Sequence, residues 1–352
     1  MRALENGLAL LKGTSIFYHT FGQIANSAYN EVVLCSAVIP EEIRMSRVVF
    51  MGTPQFAVPT LVGLAEGYEI VAVVTQPDRG SGRGRRLRPP PVKQAAQRLG
   101  LLVWQPRTLR TPEAVAYLRG LTPNVMVVAA YGQILRPKVL EIPPRGCVNV
   151  HASLLPRYRG AEPVAAAILA GEKETGVTIM LMDEGMDTGP ILAQRSIPIA
   201  PDDTRATLTE KLAHLGADLL LETLPRWLGG EIKPQPQDDA LASYAPLLKR
   251  EDGEIDWARP AVVIERMVRA YTPWPGTYTH WRGRRLKVLR ARPLHKPEGE
   301  AGRVIETPEG VAVGTGQGAL LLEEVQLASK RAMLADDFVR GQRDFIGAHL
   351  LS

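Results

Sequence analysis

Asn149, Val150 and His151 form a triplet at the end of a short apolar run. Alternate residues of an extended chain share one face, so the Asn149 amide and the His151 imidazole project together. An amide N–H and a protonated imidazole are both donors suited to an oxygen that gains negative charge during a reaction. Read alone, the pair fits a satisfied core position equally well. Past Ala152, the eight residues Ser153-Leu154-Leu155-Pro156-Arg157-Tyr158-Arg159-Gly160 make a Pro- and Gly-punctuated polar loop suited to shaping a pocket wall. Further on, Asp183-Glu184-Gly185-Met186-Asp187-Thr188-Gly189 places carboxylates on a tight turn. Asp and Gly favour turns in any case, so turn formation alone also accounts for them.

These groups need a scaffold, and the hydrophobic pattern supplies one. Residues 47–51, 69–74, 125–129 and 148–151 read as buried strands, and 56–66, 92–99, 162–170 and 204–227 as helices. Strands alternating with helices imply a parallel sheet covered on both faces. Two β-rich runs, 176–182 and 191–198, flank the acidic turn. The sequence thus predicts an α/β fold, a doubly wound, mostly parallel, Rossmann-like sheet, over residues 45–228. Ligands of such sheets bind beyond the carboxyl ends of the strands, where His151 falls. No G-x-G-x-x-G follows the first strand, so a dinucleotide loop is not supported, and Gly52-Thr53-Pro54 reads only as a turn. Residues 229–248 are rich in Gly, Pro, Gln and Asp and read as a linker. Beyond it, a helix over 261–270 and short strands at 276–281, 286–289, 302–306, 310–313 and 319–325 predict a small OB-like β-barrel over 249–352.

The order Asn-x-His, Ser-Leu-Leu-Pro, then Asp-x-Gly-x-Asp-Thr-Gly resembles the formyltransferase family that uses 10-formyltetrahydrofolate, and the resemblance runs from Val48 to near the C-terminus. It implies that Asn149, His151 and Asp187 are the catalytic set. It also implies that Ser153, Leu154, Leu155 and Pro156 belong to a folate-binding wall, with folate a consumed co-substrate and no metal. The chemistry agrees: an amine attacking a formyl carbon leaves charge on oxygen for Asn149 and His151 to hold, and a carboxylate can take the amine's proton.

Between the second strand and the next helix lie five arginines within residues 79–88, interleaved with glycine. A flexible arginine loop that orders on a phosphate backbone is one reading, and a solvated surface loop is the other. The segment is similar to the inserted loop of methionyl-tRNA formyltransferases, with Arg83 at the most direct position and Gly-Ser where relatives often have Pro-Ala. That similarity implies formyl transfer to the methionyl group of initiator tRNA, with Arg79, Arg83, Arg85 and Arg86 on the RNA. Residues 249–296 hold twelve Lys or Arg against five acids, an excess larger than the net +5 of the chain. Lys249, Arg284 and Lys287 are therefore read as phosphate contacts of the second domain. Trp274 reads as core packing, and His280 and His295 as surface or barrel residues without metal company.

The remaining features narrow the class. A chain of 352 residues, 45% hydrophobic and 22% charged, can bury two cores. Its pI of about 9.2 suits polyanionic partners. Two cysteines, Cys35 and Cys147, support neither a disulfide framework nor a zinc site. No run of 18 apolar residues occurs, so a membrane partner is not expected, and a monomeric cytoplasmic enzyme is. Residues 1–44 lack periodicity and a cleavage site, and read as an extension preceding a possible start at Met45. Two rivals remain: a formylase of a small amine or amino sugar nucleotide, and a non-catalytic RNA-binding protein on the same scaffold.

Overall fold

The computed structural model describes residues 41–81, 86–296 and 299–351, all within one compact unit. Of the expected extension, residues 1–40 lie outside the described residues. Glu41–Arg44 form a short helix whose Ile43 packs on the first core.

Seven strands build the first sheet in the order Ile191–Pro198, Glu174–Leu181, Cys147–His151, Val125–Ala129, Arg47–Gly52, Glu69–Val74, Val103–Trp104. The last five run parallel, and the first two join antiparallel at one edge. Continuous apolar strands are what burial on both faces requires. Residues 48–52 and Val125–Ala129 are buried, one face covered by the helices Val58–Gly67 and Arg205–Leu228, the other by Pro112–Gly120. The chain leaves Arg47–Gly52 in one direction and returns to its other side at Val125, which makes the gap between these two strands the topological switch point.

The 24-residue helix Arg205–Leu228 begins at Thr204, whose side chain accepts from the Thr207 amide. It buries Leu208, Leu212, Leu219, Leu220 and Leu224. Gly216 lets it press on the strand that carries His151: a Cβ there would lie 2.7 Å from Val150 Cγ1.

The expected linker is packed. Gln235 bridges to Ile191, and Tyr244–Ala245 pairs in parallel with Arg159–Gly160. Beyond it, Thr277–Trp281, Arg284–Leu294, Ala319–Leu327, Gly310–Gly314 and Val304–Thr307 form an antiparallel sheet in that order. Residues 347–351 close it: His280 and Leu351 exchange backbone hydrogen bonds on the first strand, while Val304 donates to Ala348 beside the last. Trp281, Phe338 and Phe345 fill the interior edge to face, with centroids 5.1 to 5.6 Å apart. Helix Ala261–Ala270 lies between the two cores, giving Met267 and Ala270 to the first and Ile264 and Val268 to the second.

Candidate active site and nucleic-acid face

Asn149 and His151 end the strand Cys147–His151 on one face, both nearly buried. A cavity of about 1020 Å³ opens over them. Drug-sized ligands occupy pockets of roughly 300 to 1,000 Å³, so this one has room for a large ligand with part of a second. Asp187 reaches the same cavity from the acidic turn, its Oδ2 3.6 Å from His151 Nδ1. The other ring nitrogen, Nε2, lies 3.1 Å from the carbonyl oxygen of Tyr158. A carbonyl can only accept, so Nε2 carries a hydrogen, and a second proton on Nδ1 would face Asp187. The three residues singled out in sequence thus meet in one place, although 36 residues separate His151 from Asp187.

The turn itself explains the two acids. Asp183 Oδ1 accepts from the Gly185 amide at 3.0 Å and the Thr188 hydroxyl at 2.7 Å, so Asp183 shapes the turn from within. Asp187 adopts a left-handed backbone, φ 55°, which costs a non-glycine residue roughly 1–2 kcal/mol. Its Oδ2 accepts from the Gly160 amide at 2.8 Å.

Residues 153–156 lie in the loop that directly follows the strand carrying His151. Ser153 is fully buried and its Oγ donates to the Arg157 carbonyl at 2.7 Å. The Leu155 amide donates to Thr178 Oγ1, and Pro156 follows in the same loop. Leu154 faces a separate depression with Arg157 and Glu172. The buried Ser153 and Thr178 hydroxyls are thus satisfied within the loop.

Other walls of the cavity come from segments that sequence reasoning passed over. Pro54, Gln55 and Phe56 follow the first strand, Ala130 to Gln133 follow Val125–Ala129, and the two groups flank the switch point. The opposite wall includes Arg205, Glu210 and His214 of the long helix, with Arg205 paired to Glu162 at 2.8 Å. Pro273 reaches in from beyond the linker. The available signal was topological: those residues follow the carboxyl ends of the two strands at which the winding reverses. Among the described residues, no group of three or more His, Cys, Asp or Glu has metal-binding geometry.

The arginine segment is a hairpin at its stem, not an unstructured loop: Arg79–Ser81 pairs antiparallel with Arg86–Arg88. Arg83 and Arg85 lie outside the described residues, and of Arg86 only the backbone is described. The hairpin's foot is anchored, since Asp78 accepts from Gln105 at 2.8 Å and from Lys93 at 2.8 and 2.9 Å. The Gln105 amide and the Lys93 ammonium hold the Asp78 carboxyl below its ordinary range. Arg79 reaches the Gln76 side chain at 3.4 Å.

On the second sheet, Arg285 and Lys287 alternate along the strand with the buried Leu286 and Val288. The Arg285 guanidinium sits 4.0 Å above the Tyr278 ring. Arg284 donates to the Ala328 carbonyl at 2.7 Å, and the exposed Lys249 donates its backbone amide to Asp252. Arg282 pairs with Asp344, and Arg290 and Arg292 share Glu323. Acids outside the 249–296 window therefore offset part of its excess. Trp274 is 46% exposed, whereas Trp257 and Trp281 are buried, so packing is not its role. His280 is half-buried beside Glu254, and His295 is exposed. Among the described residues no helix is long and apolar enough to cross a membrane.

Comparison with known proteins agrees with this arrangement. Residues 46–224 match the formyl transferase family, and residues 247–343 match the formyl transferase C-terminal domain. The chain is 56% identical over 301 residues to the methionyl-tRNA formyltransferase of Roseiflexus castenholzii, covering 84% of this chain and 96% of that one. It is 48% identical over 299 residues to that of Geobacter sulfurreducens, covering 84% and 94%. Among solved structures it is similar in fold to WlaRD, a sugar 3N-formyl transferase, with a TM-score of 0.61 at 18% identity over 82% of this chain and 99% of that one. HypX from Aquifex aeolicus, solved with tetrahydrofolic acid, gives a TM-score of 0.57 at 18% identity over 86% of this chain and 47% of that one.

Proposed function

Because the chain belongs to the methionyl-tRNA formyltransferase family, we propose that it transfers the formyl group of 10-formyltetrahydrofolate to the amino group of methionine carried on initiator tRNA. The observation that supports this reading most is the convergence of Asn149, His151 and Asp187 on one cavity large enough for a pterin and an aminoacyl end.

The methionyl amine attacks the formyl carbon, a carbon–nitrogen bond forms, and the formyl oxygen takes up the electron pair. Asn149 donates an amide N–H to that oxygen, and His151 donates from Nδ1, since Nε2 is engaged by the Tyr158 carbonyl. Asp187 accepts the proton released by the attacking nitrogen, directly or through water. The oxygen's electron pair then returns, the bond to folate N10 breaks, and N10 takes a proton. The products are formylmethionyl-tRNA and tetrahydrofolate.

In this reading residues 45–228 carry the chemistry and 249–352 grip RNA across the connecting 229–248. Arg79, Arg83, Arg85 and Arg86 meet phosphates on one side, and Lys249, Arg284 and Lys287 on the other. The protein acts as a cytoplasmic monomer. A single-turnover assay tests the proposal. Formyl-folate is supplied, and formylation of charged initiator tRNA is measured beside free methionine and small amines. Product on charged tRNA alone is expected, whereas product on a small amine and none on the tRNA would refute it.

A further inference from the structure

Asp183 braces the acidic turn from within, and the Asp187 carbonyl itself is held by Gln237, fifty residues away in the connecting segment. Its Nε2 donates to the Asp187 carbonyl at 2.9 Å and to the Gly189 carbonyl at 2.7 Å. Its Oε1 accepts from Arg159 Nε at 3.1 Å and Nη2 at 2.8 Å. The orientation of the amide follows from chemistry: a guanidinium only donates and a carbonyl only accepts, so oxygen must face Arg159 and nitrogen must face the turn. Arg159 is 2% exposed, and its Nη2 is shared with Asp239 at 2.7 Å. The next residue, Gly160, gives its amide to Asp187 Oδ2.

We infer that Gln237 is a positioning residue for Asp187, holding its backbone while Gly160 holds its carboxylate, so that the catalytic geometry is completed by the segment joining the two domains. The inference rests on the reading of Asp187 as the proton acceptor. Both restraints start from the short strand Arg159–Gly160, which is itself paired with Tyr244–Ala245 of that segment. Freed of Gln237, the carboxylate keeps only one of its two references, and its oxygen can swing from the reacting nitrogen.

The test uses steady-state kinetics of the full chain with formyl-folate and charged initiator tRNA. Gln237→Glu keeps an acceptor for Arg159 and removes both donors to the turn; Gln237→Met keeps length without either. Displacing a reacting group by about an ångström costs on the order of 100-fold, so a kcat loss of about that size is expected. KM for both substrates should stay within about twofold, since neither is bound by Gln237. In an Asp187→Asn background the same changes should cost nothing further, because the residues act through one group. Losses that simply add, a KM effect with kcat retained, or Gln237 variants of wild-type kcat would overturn the inference alone. Wild-type kcat in Asp187→Asn would overturn the reading of Asp187 and the inference with it. Should the Glu variant not fold, the Met variant, scored against its own melting temperature, decides the matter.

Discussion

His151 is held through Nε2 at the Tyr158 carbonyl, with Asp187 Oδ2 3.6 Å from Nδ1, while a cavity opens over the ring. That tethering is the feature from which residue-level effects follow. Removing one preorganised donor to a developing oxyanion typically costs roughly 100- to 1,000-fold in kcat. Asn149→Ala and His151→Ala should each fall in that range in single-turnover formylation with binding of charged tRNA unchanged. Losses under tenfold would show that the oxygen is held elsewhere. Cys147 makes an opposite prediction. Burial behind the same strand pushes its thiol up to about 12, so at neutral pH it stays protonated. The folded protein should not be modified at Cys147 by a thiol reagent under conditions that label it in denaturant, as peptide mass spectrometry would read.

At the level of elements, close approach of helix to strand fixes where the Asn149 and His151 side chains stand. Gly216→Val places its branched side chain against Val150, and overpacking of this kind costs typically about 1–3 kcal/mol. A melting temperature lower by several degrees is expected, together with a fall in kcat, because the displaced strand carries Asn149 and His151. A drop in melting temperature with kcat intact would separate the strand from the chemistry. On the RNA side, Arg83→Ala and Lys287→Ala should weaken tRNA binding and flatten its dependence on salt by about one unit of slope each, with folate affinity retained. Equal loss of folate affinity in a titration would contradict that assignment. The buried strands and the long helix were legible because their apolar periodicity is local. The two-residue strand Val103–Trp104 was not, since its existence depends on Glu69–Val74 offering an edge. Nor was the closing segment 347–351, whose partners lie about 70 and 45 residues earlier. The site divides likewise. Asn149, His151 and Asp187 stand in motifs, whereas Phe56, Tyr131 and Pro273 become neighbours of the cavity only through the winding of the sheet and the turn beyond the connecting segment.

For the whole molecule, the two halves are clamped by charge as well as by the shared helix Ala261–Ala270. Arg269, paired with Glu265, donates to the Asp203 carbonyl at 3.0 Å. Burial raises the Asp203 carboxyl, but the Lys211 ammonium, the Ala200 amide and the Thr207 hydroxyl outweigh it and hold the group below its ordinary range. A carboxyl lowered in the folded state contributes stability that is complete above its unfolded value, about pH 4, and lost as pH falls through the folded value. Urea midpoints of the native protein should therefore drop on acidification below about pH 4, and Asp203→Asn should lessen that drop. An unchanged slope would assign acid sensitivity to other carboxylates. The packed segment 229–248 has a bearing on how such enzymes can be rearranged. A hybrid spliced at residue 228, joining this first half to the second half of a relative, would discard Gln237 and the strand Tyr244–Ala245 along with the Pro273 wall. Exchange of modules at that seam should give a protein that grasps tRNA yet turns over slowly. A graft that keeps native sequence through Leu248 should regain most of the lost rate.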